Sequence, residues 1–277
     1  MGLRVSTNVA SISAQNSLGK SQRAIAKSFA QLSSGSRVTK AADDAAGLSI
    51  SEGLKSQIRS LNQSQRNAAD GMSMVQVAEG GLNEISNIIS RLRELGIQAS
   101  SDTVGQRERG FINQEVQQLG NEMQRIAETT RYSNTNLLDG TGDKFDFQVG
   151  IYNDDFQDRI SYEAGATNAT TDNLGLAGLD FSDKGSAQSA LESLDAAQAQ
   201  VSEFRANLGA LQNRLISTQE NVATTVENLS AANSRIRDTD VAQATAELTR
   251  NSILQNASTA TLAQANAAPR QALSLIG

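Results

Sequence analysis

The sequence predicts a mostly α-helical protein: an elongated antiparallel bundle of long helices with a small β-hairpin region, its two chain ends paired as a coiled coil. Three observations lead there. Hydrophobic residues make up 38% of the 277 positions and aromatics only 4%, too few large side chains for one broad compact core. Long segments carry apolar or small residues at spacings of three and four, the mark of helices that pack along narrow seams. One short stretch instead alternates with period two, as a strand does.

The clearest helix lies toward the C-terminal end. Val201, Phe204, Leu208, Leu211, Leu215, Thr218, Val222, Thr225, Leu229, Ala232 and Ile236 follow gaps of three and four without a break. That is a heptad seam of about five repeats. Extended back through Leu194 and Ala190, it predicts a helix of roughly 70 Å. A second seam runs through Leu54, Ile58, Leu61, Ala68, Met72, Val75, Leu82, Ile85, Ile88, Leu92 and Leu95, and a shorter third through Ile112, Val116, Leu119, Met123 and Ile126. The polar run SSDTVGQ between them suits a tight reversal. These helices are expected to form the bundle, over residues 44–236.

The middle changes character. Phe145, Phe147, Val149 and Ile151 alternate, the acid-rich YNDDFQD follows, and Ile160 and Tyr162 alternate again. This predicts a β-hairpin near residues 144–163, with irregular structure around it from about Asn134 to Gly185. The chain ends, residues 1–43 and 237–277, form the other expected pair. Leu18, Ile25 and Leu32 recur at seven with Phe29 beside them, while Val241, Leu248, Leu254 and Leu262 are thinly spread among Ala, Thr, Asn and Gln. Neither end has enough apolar surface to offset its ordering entropy alone, so each is expected to fold only against a partner surface.

Composition prunes the chemistry. The chain has no His, Cys or Trp and a single Pro, Pro269. Imidazole acid–base catalysis, thiol nucleophiles and zinc or copper sites of the usual ligands are therefore excluded. No nucleotide loop or paired acid–base constellation occurs, so no cofactor and no enzymatic activity are expected. No run approaches the ~20 apolar residues of a membrane span, and the first residues show no ordinary secretory signal. The net charge is −6, yet residues 1–40 hold Arg4, Lys20, Arg23, Lys27, Arg37 and Lys40 and no acid. These bases are spaced singly along a helical pattern, with Phe29 the one aromatic among them. They read as a solvated or subunit-facing helix side rather than a nucleic-acid surface.

One stretch stands apart: Ser33–Ser51, SSGSRVTKAADDAAGLSIS. It sets Asp43 and Asp44 among small residues, with Arg37 and Lys40 just upstream. On a helix, adjacent side chains diverge by about 100° and cannot jointly chelate, and no calcium-loop signature follows. Two readings stay open. The acids cap or lie in the first turn of a helix, or they make polar contacts between subunits. A further stretch, Ser90–Gln98 (SRLRELGIQ), reads by periodicity as Leu92 and Leu95 facing the bundle with Arg91 and Glu94 solvated.

Taken together, LRVSTNVASISAQNSL, QLSSGSRVTKAADDAAGLSIS, QRNAADGMSMVQVAEGGLNEI, ISRLRELGIQASSDT and the closing LSAANSRIRDTDVAQATAELTRNSILQNASTATLAQANAAPRQALSLIG resemble the conserved ends of bacterial flagellins. The resemblance covers nearly the whole chain and is to a short form lacking the outer variable domains. It implies a self-polymerising subunit of the extracellular flagellar filament, serving swimming motility and exported without a cleaved signal peptide. The terminal helices would form the innermost layer lining a central channel, and the bundle the layer outside it. Implied partners are copies of itself, the export chaperone, the filament cap, the hook-junction proteins and the Toll-like flagellin receptor of innate immunity.

For particular residues, the resemblance implies subunit contacts at Arg37, Lys40, Asp43 and Asp44. It implies a receptor epitope and protofilament contact at Arg91, Leu95 and, on the next helix, Glu115. Gly96 stands where other members often carry a somewhat larger residue, which would loosen the helix there. The closing QALSLIG reads as either a frayed terminus or a channel-lining, chaperone-binding tail. Asn168-Ala169-Thr170 fits the N-glycosylation pattern incidentally. A hook–filament junction protein of the same superfamily is the alternative reading, and a soluble coiled-coil signalling or adhesion protein a further one.

Overall fold

The computed structural model describes residues 7–274, with side chains through residue 267; Arg4 and the end of the QALSLIG motif lie outside the described residues. The helices are α1 (Val9–Ser34), α2 (Ala45–Ala99), α3 (Gln106–Thr129), α4 (Lys184–Arg237) and α5 (Val241–Ser274). Between α3 and α4 come the two-residue strands β1 (Arg131–Tyr132) and β2 (Thr135–Asn136), the longer β3 (Lys144–Gln148) and β4 (Arg159–Glu163), and a 3-10 turn at Ala164–Ala166. The chain divides into two units, residues 1–58 with 227–277 and residues 59–226.

In the first unit the two chain ends meet as antiparallel helices. Asn8 near the start of α1 donates from Nδ2 to the Ala265 carbonyl at 2.7 Å, and Ser11 Oγ to Asn266 Oδ1 at 2.8 Å. Asn8 also caps α1, accepting the Ser11 amide at 3.0 Å. Gly35, at φ +67°, ends it in the left-handed conformation that glycine takes without steric cost. The seam follows the spacing of a coiled coil, but its buried members are Ser11, Ala14, Ser21 and Ser28. Leu18, Ile25 and Leu32 lie between them half-buried, as are Leu248, Ser258 and Leu262 of α5. Such small residues bring two backbones close while burying little apolar area.

Phe29, Val241 and Leu254, named above with the apolar residues of the ends, do not enter this seam. They are 66%, 61% and 48% exposed. The register explains this: Phe29 follows buried Ser28 by one residue and Leu254 precedes half-buried Gln255 by one, which turns each off the contact line.

Every seam position of α2, α3 and α4 read from the sequence is buried or half-buried, those from Leu61 to Thr225 within the second unit. Met74, Val75, Leu82, Ile85, Ile89, Leu92, Leu95, Met123, Leu194, Val201 and Leu208 form its centre. Polar contacts fix the helices beside it. Gln198 of α4 donates to Ser86 of α2 at 2.8 Å, and Arg93 pairs with Asp195 at 2.6 Å. At the α2–α3 reversal, Arg109 donates to the carbonyls of Ala99 (2.8 Å) and Ser101 (2.9 Å), satisfying groups left open at the end of α2.

The predicted hairpin is present. β3 and β4 pair antiparallel with Phe145 opposite Tyr162 and Phe147 opposite Ile160. It is pinned to α2 through Ser64 Oγ to the Gly150 carbonyl (3.1 Å) and Asn67 Nδ2 to the Gln148 carbonyl (2.9 Å). The irregular segment after it is equally anchored. Gln117 donates to the Leu179 carbonyl at 2.6 Å, the Phe181 amide to Asn113 Oδ1 at 3.0 Å, and the Phe181 ring is fully buried.

Gly96 does not interrupt α2, which continues to Ala99. A Cβ at this position would lie 3.0 Å from Leu191 Cδ2 and 3.5 Å from the Phe181 ring. The missing side chain makes room for α4 and Phe181 rather than loosening the helix.

Candidate subunit-contact and recognition sites

Residues 35–44 link α1 to α2, and residues 238–240 link α4 to α5. The two linkers touch. Ser36 and Asp238 form an antiparallel bridge, the Arg37 amide donates to the Arg237 carbonyl at 2.6 Å, and the Thr239 amide to the Gly35 carbonyl at 3.0 Å. Ser36 Oγ reaches the Arg237 carbonyl as well, at 3.2 Å. This close approach is why the stretch is built of small residues.

The charged residues singled out in the sequence do different jobs within it. Asp44 is the N-cap of α2, Oδ1 accepting the Gly47 amide at 2.8 Å. Asp43 faces the other way. Its carboxylate pairs with Lys27 of α1 at 3.1 Å and accepts from Thr39 Oγ1 (3.0 Å) and the Lys40 amide (3.1 Å). Arg37 donates through Nε (3.2 Å) and Nη2 (2.7 Å) to the Ile236 carbonyl. That places a cation at the C-terminal end of α4, where the helix dipole favours it. The Lys40 ammonium has no partner among the described residues. Sequence reasoning did not single out Lys27 as a partner, nor the Arg237–Glu52 ion pair and the 2.8 Å bond from Ser51 to Asn233 that tie α4 to the start of α2. Nothing local signals contacts between residues so far apart in the chain.

The Asp43 carboxyl is held down from its ordinary 3.8 to about 2, first by Lys27, then by the Thr39 hydroxyl and the Lys40 amide. A depressed carboxyl contributes stability that is complete above pH ~4 and disappears as pH falls toward 2. The α1–α2 link is therefore expected to loosen on acidification through that window. Hydrogen exchange of the amides of residues 39–48, followed from pH 5 to pH 2, reads this directly. An Asp43→Asn chain should show the loosened behaviour already at pH 5 and no further step.

The second group lies on the surface of the bundle. Arg91 on α2 donates through Nε (3.0 Å) and Nη2 (2.9 Å) to Glu115 Oε1 on α3, and through Nη1 to Glu94 Oε2 at 3.0 Å. The two carboxylates, Glu115 foremost, raise the guanidinium's pKa further above its ordinary value. All three side chains are open to water, so the network orients them more than it stabilises the fold. Leu95 is 2% exposed and belongs to the core. The apolar side chains that solvent reaches nearby are Ile97 on α2 and Phe111, one turn before Glu115 on α3, at 53% and 60% exposure.

Residues 5–143 match the model of the bacterial flagellin N-terminal helical region, and residues 191–276 that of the C-terminal helical region. A flagellin of Halalkalibacterium halodurans is 41% identical over 272 residues, covering 98% of this chain and 99% of that protein. The crystal structure of Bacillus cereus flagellin superposes with a TM-score of 0.51 at 29% identity, over 61% of this chain and 94% of that one. A putative flagellar hook-associated protein from Vibrio parahaemolyticus reaches a TM-score of 0.56 over 71% of this chain and 100% of that one. Its 12% identity extends that likeness to the fold alone.

A bundle of long helices with a hairpin, and chain ends paired through a thin seam, define a structural protein of the flagellar type. The chain belongs to the bacterial flagellin family. Within that type the hook-junction reading is not favoured, since both matched regions and the full-length relative are flagellin's.

Proposed function

We propose that this chain polymerises with copies of itself into the extracellular filament of a bacterial flagellum, the propeller of a swimming cell. The family supports the assignment to a filament subunit. The observation that carries self-assembly is the inverted pairing of the chain ends. The α1–α5 seam buries serines and alanines, while Val9, Ile12 and Phe29 of α1 and Val241, Ile253 and Leu254 of α5 stay exposed. Large apolar side chains left exposed on both helices of a pair are candidates for an association surface. A neighbouring copy supplies the cover that the seam does not.

In this reading, residues 1–43 with 237–277 form the inner, channel-lining layer and residues 44–236 the layer outside it. Arg37, Asp43 and Asp44 shape the link between helices, and Lys40, whose ammonium has no partner among the described residues, reaches a neighbouring subunit. Arg91 and Glu115 present a fixed, accessible pair to a protofilament neighbour or to the Toll-like receptor. Leu95 supports that surface from beneath. Export through a narrow apparatus fits a chain without cysteine; no helix among the described residues is long and apolar enough to cross a membrane. Export chaperone, cap and hook-junction proteins complete the expected partners. Electron microscopy of the purified, concentrated protein tests the central claim. Long helical fibres are expected, and a protein that remains in discrete small oligomers would point to the soluble coiled-coil reading instead.

A further inference from the structure

The β3–β4 hairpin has two outer edges, and they are treated differently. The Val149 amide donates to the Asp158 carbonyl at 2.8 Å, just beyond the pairing of Gln148 with Arg159. In an antiparallel ladder, bonded and non-bonded pairs alternate. Phe147–Ile160 and Phe145–Tyr162 are therefore the pairs that exchange hydrogen bonds, and the backbone N–H and C=O groups of Gln148, Arg159, Ser161 and Glu163 point out of the two-stranded sheet. On β3 the outward Gln148 carbonyl accepts from Asn67 Nδ2 of α2 at 2.9 Å. On β4 the outward backbone groups of Arg159, Ser161 and Glu163 have no partner among the described residues.

That open edge borders α4, with a groove between them. Two adjoining clefts of about 400 and 440 Å³ lie along it, and Arg214 lines both. Half-buried Phe204 and buried Leu208 and Leu211 of α4 form the apolar floor of the larger one. Phe156, 91% exposed, stands at the loop end of the smaller. From Glu203 to Thr218, α4 flanks the groove over about 22 Å, the length of about seven extended residues. The charges along it are available. The Arg214 guanidinium, where the clefts meet, has no partner among the described residues, and neither do the carboxylates of Glu163 and Glu203 in the larger cleft. Arg159, by contrast, is already bonded to Asp155 and Asn153.

We propose that this groove binds an extended peptide segment of another protein, which adds a third strand to β4 and sets an acidic side chain against Arg214. An unpaired strand edge beside an apolar cleft and a helix is the arrangement that accepts a strand. Backbone bonds to the edge supply affinity, and the cleft selects side chains. Charge complementarity defines the sequence that fits. Arg214 takes an acid near the middle of the segment, and Glu163 with Glu203 a basic residue about five positions away. The described part of this chain has no free extended segment to offer, since the irregular run 167–183 is bonded to α3 at Thr171, Leu179 and Phe181. The groove residues are none of those assigned above to subunit or receptor contact, and the inference does not depend on the filament reading.

The test uses the full chain. A phage-displayed library of random ten-residue peptides, panned against it, is expected to enrich alternating apolar sequences with a central Asp or Glu. The selected peptide is synthesised, and its affinity is measured by fluorescence polarisation. Ser161→Pro removes one outward N–H from the edge and no bond of the β3–β4 ladder. It should weaken binding about tenfold, while Ser161→Ala binds as the parent does. Arg214→Ala should weaken the acidic peptide about tenfold and leave its Asn or Gln counterpart unchanged. Because Arg214 is exposed, that variant decides the matter even where proline disturbs the hairpin. No enrichment, or an acidic peptide bound equally by the parent and Arg214→Ala, overturns the proposal. A folded Ser161→Pro chain that loses fibre formation where the parent keeps it assigns the edge to a second copy and overturns the peptide reading as well.

Discussion

A chain stripped of residues 1–43 and 237–277 is expected to stay folded and to form no fibres at any concentration reached. Both halves of that outcome follow from where apolar surface is buried. Residues 59–226 hold the continuous core from Ala68 to Leu215, with Met74, Leu82, Ile85, Leu92 and Leu194 fully enclosed. No described residue of α1 or α5 is a member of that core. The terminal pair instead buries chiefly serine and alanine and leaves its larger apolar residues outside. Its stability as an isolated pair is therefore small, while its exposed face is what neighbouring copies would cover. Circular dichroism and electron microscopy of the shortened protein check the two halves separately. Normal fibres from it would remove the chain ends from assembly altogether.

Phe181→Ala carries the largest expected cost to stability, about 3–5 kcal/mol, the range for deleting a fully enclosed phenyl ring. The ring has no exposed surface, and it lies against Gly96, where α2 has no side chain. Its amide is bonded to Asn113 of α3. One residue from an irregular loop thus joins α2 and α3, and its removal leaves a space those helices cannot collapse to fill. A fall in midpoint on the order of 10 °C should appear in thermal unfolding. Phe156→Ala, at the exposed loop tip, should leave the same transition in place. Equal midpoints for Phe181→Ala and the parent would mean the site closes around the cavity.

Phe181 also shows how far a reading of sequence reaches. It belongs to no repeating pattern, so nothing distinguished it from the Gly- and Asn-rich residues around it. The seam of α4 was legible at every position from Val201 to Ile236 because burial there depends only on which side of the helix a residue occupies. The hairpin was legible for the same reason, with period two in place of period three to four. At the chain ends the same logic reached only part of the seam. Leu18, Ile25 and Leu32 face α5, but serine fills the alternate seam positions and Phe29 turns away. A serine at a seam position looks like a surface residue until its partner helix is in place.

The paired aspartates make the division sharpest. The helix-geometry argument against joint chelation did not apply, since both precede α2, which begins at Ala45; capping and contact remained open. Only the folded chain assigns Asp44 to the α2 N-terminus and Asp43 to Lys27. Arg91 and Glu115 meet across α2 and α3 as a pair, while Leu95 of the same motif is enclosed.

The sequence by itself determined the helices, their inner faces, the hairpin and the family, since each is written in short-range periodicity or in contiguous motifs. The tertiary structure alone decided which apolar residues are left outside, which charges find partners, and which glycine and which phenylalanine lock the bundle. Those outcomes depend on contacts between residues far apart in the chain, and local spacing carries no record of them.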